Sequence, residues 1–234
     1  MRYHLPKKIQ LQSSHVKWTL QTEDSVLLIV GLEDLKQLSE WQNSALAEHI
    51  DQLCKRAQAL EIPTIFLNQS VLNVGMMQLG QYMAASEVQL IIAGHISSLM
   101  KQVIQHTSSI IEKVCVVDDA VLANNLEQHI QWVDAQTTQN IHHMNSSSIT
   151  RLWSLTAPKE MILSSKGVLL ALAEHLDLAP LDIHPETDLR EYGLDSVAMV
   201  TLIGLWRANG AEITYENFLK NNSLVKLFKF LNIS

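Results

Sequence analysis

The chain is poor in cysteine and in positive charge, and it lacks a long apolar run. Its 234 residues include two cysteines, Cys54 and Cys115, which do not have the spacing of a metal site. They allow at most one disulfide and are expected to be reduced core residues. The net charge of −7 argues against nucleic-acid binding, which needs a basic surface. No apolar run reaches 18 residues, and residues 1–6 are not a basic and apolar leader, so no membrane segment and a cytoplasmic location are expected.

Histidine is common, in contrast, with ten residues that include the adjacent pair His142 and His143. None of them has the spacing of a His-Glu-x-x-His zinc motif. The sequence therefore predicts no metal site, and the histidines are expected at strand edges and on helix surfaces.

The first 150 residues alternate between short apolar runs and amphipathic stretches. The apolar runs at 25–30, 62–67, 88–94 and 114–118 are typical of strands buried on both faces, and 140–144 is expected to be a fifth, short strand. Helices are expected at 43–60, 70–86, 96–111 and 126–135. Because parallel strands need helical crossovers, residues 1–150 are predicted to form a doubly wound α/β domain with a parallel sheet.

The pattern changes after residue 145. A polar run of Asn145 and three serines, followed by Thr156 to Pro158, is typical of a connection, and residues 151–158 are interpreted as a linker. No strand pattern follows it. Helices are expected at 159–176, 196–208, 215–220 and 223–231, so residues 159–234 are predicted to form a small all-α domain of four helices.

The most informative stretch is residues 188–197, which read DLREYGLDSV and lead directly into an apolar helix. Asp195 and Ser196 fall at the first turn of that helix, where free backbone N–H groups and the helix dipole favour a phosphate group. No histidine lies close in sequence, and the strand–Gly-x-Ser-x-Gly–helix elbow of serine hydrolases is missing. Ser196 is therefore interpreted as the carrier of a phosphodiester. The alternative is that Asp195 and Ser196 only cap the helix, although Met199 stands where a capping box needs Glu or Gln.

The helix after Ser196 has more apolar residues than one buried stripe requires. At 100° per residue, its predicted core face consists of Met199, Leu202, Ile203 and Trp206. Val197 and Val200 fall towards the other side, and exposed apolar side chains usually mark contacts. Tyr215 and Leu219, an i, i+4 pair on the next helix, are expected to extend this surface. These four residues, Val197, Val200, Tyr215 and Leu219, are the predicted docking patch; the alternative is that all of them are core.

Residues 193–196 resemble the Gly-Leu-Asp-Ser attachment site of acyl and peptidyl carrier proteins. The order of the two domains resembles the bifunctional isochorismatase–aryl carrier proteins of siderophore biosynthesis, a nonribosomal peptide pathway. The matches lie at 3–6, 16–18, 26–30, 90–94 and 116–120, and throughout 157–234, above all at 192–197 and 206–207.

The resemblance implies that a phosphopantetheinyl transferase attaches 4′-phosphopantetheine to Ser196, with Asp195 orienting the transferase's metal and coenzyme A or simply capping the helix. It also implies that an aryl-acid adenylating ligase loads 2,3-dihydroxybenzoate or salicylate as a thioester, which a condensation or cyclisation domain of a nonribosomal peptide synthetase then accepts. Members with this hydrolase fold commonly self-associate, which suggests a homodimer through residues 1–150.

The first domain departs from this family at its catalytic positions. The family uses an aspartate at the end of the first strand, a lysine in mid-domain and a residue, often cysteine, at the start of a later helix. The aligned positions are Gly31 and Lys101, and the segment that should hold the lysine is much shortened. Glu33 and Asp34 are nearby acids that would serve only if buried. The first domain is therefore predicted to be a reduced, catalytically inactive scaffold. The alternatives are an active isochorismatase fused to a carrier, and a carrier for another acyl group.

Overall fold

A computed structural model of the protein describes residues 18–38, 41–84, 87–137 and 141–233. The matches at residues 3–6 and 16–17 lie outside these ranges. The chain divides into two compact units, Met1–Leu152 and Trp153–Ser234. The fold class predicted from the sequence, a parallel α/β sheet followed by a helical C-terminal region, is confirmed.

The first unit is built on a parallel sheet with the strand order β2-β1-β3-β4-β5. The five strands are β1 Ser25–Val30, β2 Thr64–Leu67, β3 Gln89–His95, β4 Lys113–Leu122 and β5 His142–Met144. All six residues of β1 and the first six of β3 are buried, as expected for apolar strands covered on both faces. From β1 the chain passes to β2 on one side and then crosses to β3 on the other side. The switch point of this doubly wound sheet therefore lies between the carboxyl ends of β1 and β3.

Within the described ranges, six α-helices connect or follow these strands: α1 Leu32–Lys36, α2 Ala45–Ala59, α3 Leu72–Met83, α4 Ser98–Ser108, α5 Leu126–Thr137 and α6 Ser146–Thr156. Serine side chains start two of them, since Ser44 accepts the N–H of Ala47 and Ser97 accepts that of Met100. One apolar cluster joins the sheet to α3, α4 and Trp132 of α5. α2 contacts β2 and β4, and its buried residues are not part of that cluster.

Strand β4 is longer than the predicted 114–118. Ile92 pairs with Val116, whereas Gly94 pairs with Val121, so β4 contains extra residues between these two pairs. The bulge lets the strand continue to Leu122 although Asp118 and Asp119 interrupt the apolar pattern.

The predicted linker at 151–158 differs from the structure, because α6 continues to Thr156. The polar run before it starts this helix: Asn145 Oδ1 accepts the N–H of Ser148 at 2.8 Å. Asp119 accepts both the N–H and the hydroxyl of Ser146, at 2.7 and 2.8 Å. The helix also buries Ile149 and Trp153 completely. Residues that are typical of a loop therefore form a helix cap here, and the boundary of the two units falls within α6.

The second unit contains five further helices in the described residues: α7 Lys159–Ile162, α8 Ser165–Leu176, α9 Ser196–Ala208, α10 Tyr215–Lys220 and α11 Leu224–Leu231. The single helix predicted at 159–176 is divided because the Ser164 hydroxyl caps a new start, accepting the N–H of Gly167 at 2.9 Å. In the core, the ring of Trp206 stacks on that of Phe218 with centroids 5.7 Å apart.

Candidate functional site

Ser196 is the first residue of α9, and it is exposed. Asp195 directly before it is the N-cap, because its Oδ1 accepts the N–H of Ala198 at 2.8 Å. The helix therefore begins where the sequence analysis placed it. An exposed hydroxyl at the positive end of a 13-residue helix fits a covalently attached phosphodiester.

The loop before Ser196 is held by its own turn. Residues Leu189–Tyr192 form a short 3₁₀ helix that ends at Gly193, whose φ of 95° lies in the left-handed region favoured by glycine. The N–H of Leu194 then donates to Leu189 O at 3.3 Å, and both leucine side chains are buried. These two buried leucines fix the loop on the core while Asp195 and Ser196 remain at the surface.

The α9 helix separates its faces as the sequence predicts. Met199, Leu202, Ile203 and Trp206 are buried, whereas Val197 and Val200 are 71% and 60% exposed. On α10, Tyr215 and Leu219 are also exposed, at 39% and 37%. The alternative that the four residues of the docking patch are all core is therefore wrong. That the docking patch binds a partner stays a prediction.

The first unit places Gly31 at the carboxyl end of β1, beside the switch point. Gly31 has a φ of 66°, and its N–H donates to Leu67 O at 2.7 Å. A Cβ added here would lie 3.0 Å from His95 Cβ and 3.5 Å from Asp34 Oδ2. The backbone at this position is thus unfavourable for an aspartate, and His95 occupies the adjoining space.

The other expected positions around this sheet edge do not converge on a site. Lys101 is exposed and lies inside α4, whose first residue is Ser98. Lys101 is thus the fourth residue of α4, and its correspondence to the family cysteine position stays a prediction. The Asp34 carboxylate lies 3.5 Å from His95 Nδ1 but is 61% exposed, and that of Glu33 is also 61% exposed and contacts Lys36. Neither acid meets the condition of burial.

Sequence reasoning missed a buried histidine–aspartate contact near the other edge of the sheet. His143 Nδ1 lies 2.7 Å from Asp118 Oδ1, with side chains only 2% and 11% exposed. His129 on α5 is fully buried as well, and this burial lowers its pKa while Asp118 acts in the opposite direction. The expectation of a helix-surface position is therefore wrong for His129, whereas His143 lies on the edge strand β5, as expected. The available signal was an acid inside an apolar strand, since Asp118 lies two residues after Val116, which pairs with His143.

The polar side chains at this edge of the sheet do not form a metal centre, and the neighbouring Ser146, Asp119 and His49 do not form a catalytic triad. Among the described residues, no group of three His, Cys, Asp or Glu side chains is arranged to hold a metal ion. Asp119 accepts from Ser146 and lies 3.7 Å from His49 Nδ1, which places the carboxylate between the serine and the histidine. A nucleophilic serine needs the histidine in that central place. The arrangement instead anchors the start of α6.

Comparisons with known proteins agree with this division of the chain. Residues 166–231 match the family model described as phosphopantetheine attachment site. An isochorismatase from Bacillus subtilis (strain 168) is 28% identical over 156 residues, which cover 61% of this chain and 49% of that protein. The chain thus spans about half the length of this curated relative.

None of the described helices is long and apolar enough to cross a membrane.

The C-terminal domain binds 4′-phosphopantetheine covalently. The match of residues 166–231 to the attachment-site model and the similarity to an isochorismatase are together consistent with a bifunctional isochorismatase–carrier protein.

Proposed function

We propose that the chain is an aryl carrier protein of nonribosomal siderophore biosynthesis, with Ser196 as the attachment residue and the first unit as an inactive scaffold. The observation that carries the proposal is the exposed Ser196 hydroxyl at the start of α9, inside the segment that matches the attachment-site model. The bound arm supplies a thiol that holds an aryl acid, 2,3-dihydroxybenzoate or salicylate, as a thioester. The protein's own contribution is a tether that raises the local concentration of that acid.

The attachment step requires a free serine oxygen and an open approach. Ser196 Oγ forms a bond to the phosphorus of coenzyme A that bears the pantetheine, the pyrophosphate bond breaks, and adenosine 3′,5′-bisphosphate leaves. The hydroxyl proton passes to a base of the phosphopantetheinyl transferase. Asp195 is proposed to assist the transferase's metal and coenzyme A in addition to its cap.

Intact-mass spectrometry tests the attachment site. The full chain, incubated with coenzyme A and a phosphopantetheinyl transferase, should gain the mass of one phosphopantetheinyl group, and S196A should gain nothing. A gain that persists in S196A would refute the assignment of Ser196. Incubation of the modified chain with candidate adenylating ligases and acids then identifies the acyl group, and a fatty or polyketide acid loaded in place of an aryl acid would refute the aryl assignment.

The docking patch of Val197, Val200, Tyr215 and Leu219 is proposed to contact the adenylating ligase and the condensation or cyclisation domain. Val200→Glu and Leu219→Glu should slow aryl loading or transfer and leave modification of Ser196 largely intact. Val225→Glu is the matched control, because Val225 is likewise an exposed apolar residue, at 50%, but lies on α11 and outside the docking patch. Equal loading rates in V200E, L219E and V225E would contradict the patch.

The second candidate is an active isochorismatase fused to a carrier, which the 28% identity to an isochorismatase favours. We propose the inactive scaffold because of the left-handed glycine at position 31 and the exposed acids beside it. A coupled assay for dihydro-dihydroxybenzoate formation from isochorismate decides between them, and turnover well above background would refute the inactive scaffold.

We further propose a cytoplasmic location and a homodimer through the first unit. If the chain is a homodimer, light scattering of the full chain should give twice the mass of one chain.

A further inference from the structure

The segment before Ser196 is connected to the turn between α10 and α11 by a set of hydrogen bonds. The N–H of Leu189 donates to Asn222 O at 2.8 Å, and the N–H of Val225 donates to Pro185 O at 3.1 Å. The side-chain amide of Asn222 donates to Asp188 Oδ2. Two short stretches that lie 34 residues apart in sequence thus meet through both backbone and side-chain contacts.

Asp188 is the centre of this contact. Its carboxylate also accepts from Arg190 Nε at 3.0 Å and from a terminal nitrogen of Arg190 at 2.6 Å, and its Oδ1 accepts the N–H of Arg190 at 3.0 Å. The Asp188 side chain is 20% exposed, and these donors, Arg190 first, hold its pKa well below its usual range. Asn222 is oriented from its other end, because Lys226 Nζ donates to Asn222 Oδ1 at 3.1 Å.

We propose that Asp188 and Asn222 form a clamp that positions Ser196 for the transferase, so that they are positioning residues for the attachment step. The proposal rests on Ser196 being the attachment residue. The clamp holds the start of the 3₁₀ turn, Leu189 anchors that turn in the core, and the chain reaches Ser196 only seven residues after Leu189. Without the clamp, the loop samples arrangements in which the serine is presented differently.

A positioning role predicts a specific kinetic change. If only a fraction of the molecules has the loop in the accepted arrangement, the apparent affinity of the transferase falls by that fraction. Saturating carrier still reaches the same complex, so KM for the carrier rises while kcat is nearly unchanged. A contribution to stability alone changes neither constant well below the unfolding temperature.

The test compares variants of the full chain as substrates of one transferase with coenzyme A. Asn222→Ala should raise KM by about tenfold. Asn221→Ala is the matched control, since the neighbouring amide is equally half-buried but donates to Asn217 O within its own helix. Its KM should stay within about twofold of wild type.

A charge exchange provides the second arm. Asn222→Asp places two carboxylates in contact and should raise KM by about tenfold or more. The double variant D188N/N222D again pairs one carboxylate with one amide but leaves Arg190 without its carboxylate partner, so its KM should fall below that of N222D without reaching the wild-type value.

The outcomes separate this inference from the proposed function. Modification of S196A would refute both, because the clamp would then have no serine to position. Wild-type kinetics in N222A and N222D, with S196A unmodified, would refute only the clamp. An equal rise of KM in N221A and N222A, or a double variant no better than N222D, would also refute it, because the effect would then be unspecific to this hydrogen bond.

Discussion

Asp195 has a structural role and a proposed chemical role, and two substitutions separate them. Its Oδ1 accepts the N–H of Ala198 at 2.8 Å, which satisfies one of the free donors at the start of α9. Asp195→Ala removes this acceptor and should cost roughly 1 kcal/mol of unfolding free energy. Asp195→Asn keeps a side-chain oxygen and is an equally good cap, so it should lose at most about 0.5 kcal/mol through its interaction with the helix dipole.

Hydrogen exchange of peptides from α9 in the full chain measures this difference. A loss of 1 kcal/mol increases the opened population about fivefold, so amides of α9 that exchange through unfolding should exchange about fivefold faster in D195A. D195N should exchange at nearly the wild-type rate. The same two proteins are then given to the transferase. Slow modification of D195N would support a role of the carboxylate in the chemistry.

Two results would contradict this reasoning. If D195N exchanges as fast as D195A, the side-chain cap does not stabilise α9 through its hydrogen bond. If D195N is modified at the wild-type rate, Asp195 is only a cap, and its proposed contribution to binding the transferase's metal and coenzyme A is wrong.

Three further predictions test the packing and the buried groups. Gly94→Ala should lower the free energy of unfolding by at least about 3 kcal/mol, because φ is +119° and the new Cβ would lie 2.0 Å from a carbonyl oxygen of β1. Gly204→Ala, which has open space around it, should instead stabilise α9 by about 0.5–1 kcal/mol. Urea denaturation measures both changes. Burial raises the pKa of Cys54 to about 11 and that of Cys115 still further, so neither should react with iodoacetamide at neutral pH until the chain is unfolded. Burial lowers the pKa of His129, so the unfolded state binds the proton of this imidazole at a higher pH than the folded state does. The free energy of unfolding should therefore decrease as the pH falls below about 6.5. His129→Gln should weaken this pH dependence in thermal unfolding.

The elements with strong periodicity could be predicted from the sequence. β1 is apolar after its first residue, Ser25, and lies at the predicted residues, and α9 begins at Ser196 and ends at Ala208 as expected. The faces of α9 were also predictable, because a fixed step of 100° per residue places Val197 about 180° and Val200 about 120° from the buried Trp206.

The misinterpreted segment shows where local composition is insufficient. Asn145 and the serines after it are equally good in a loop and in a helix cap. The choice is made by Asp119, which is distant in sequence and reaches them only because β4 bulges in this region. The error comes from a tertiary contact that periodicity does not encode.

The fold of the first unit and the catalytic positions of its family depend on different residues. The stability of the sheet comes from strands such as β1 and β3, which are buried along nearly their whole length. The chemistry of an α/β fold lies instead at the carboxyl ends of the strands, where Gly31 and His95 now meet. Replacing a functional residue at that edge removes little buried apolar area, so the loss of catalysis that we propose is compatible with a retained sheet.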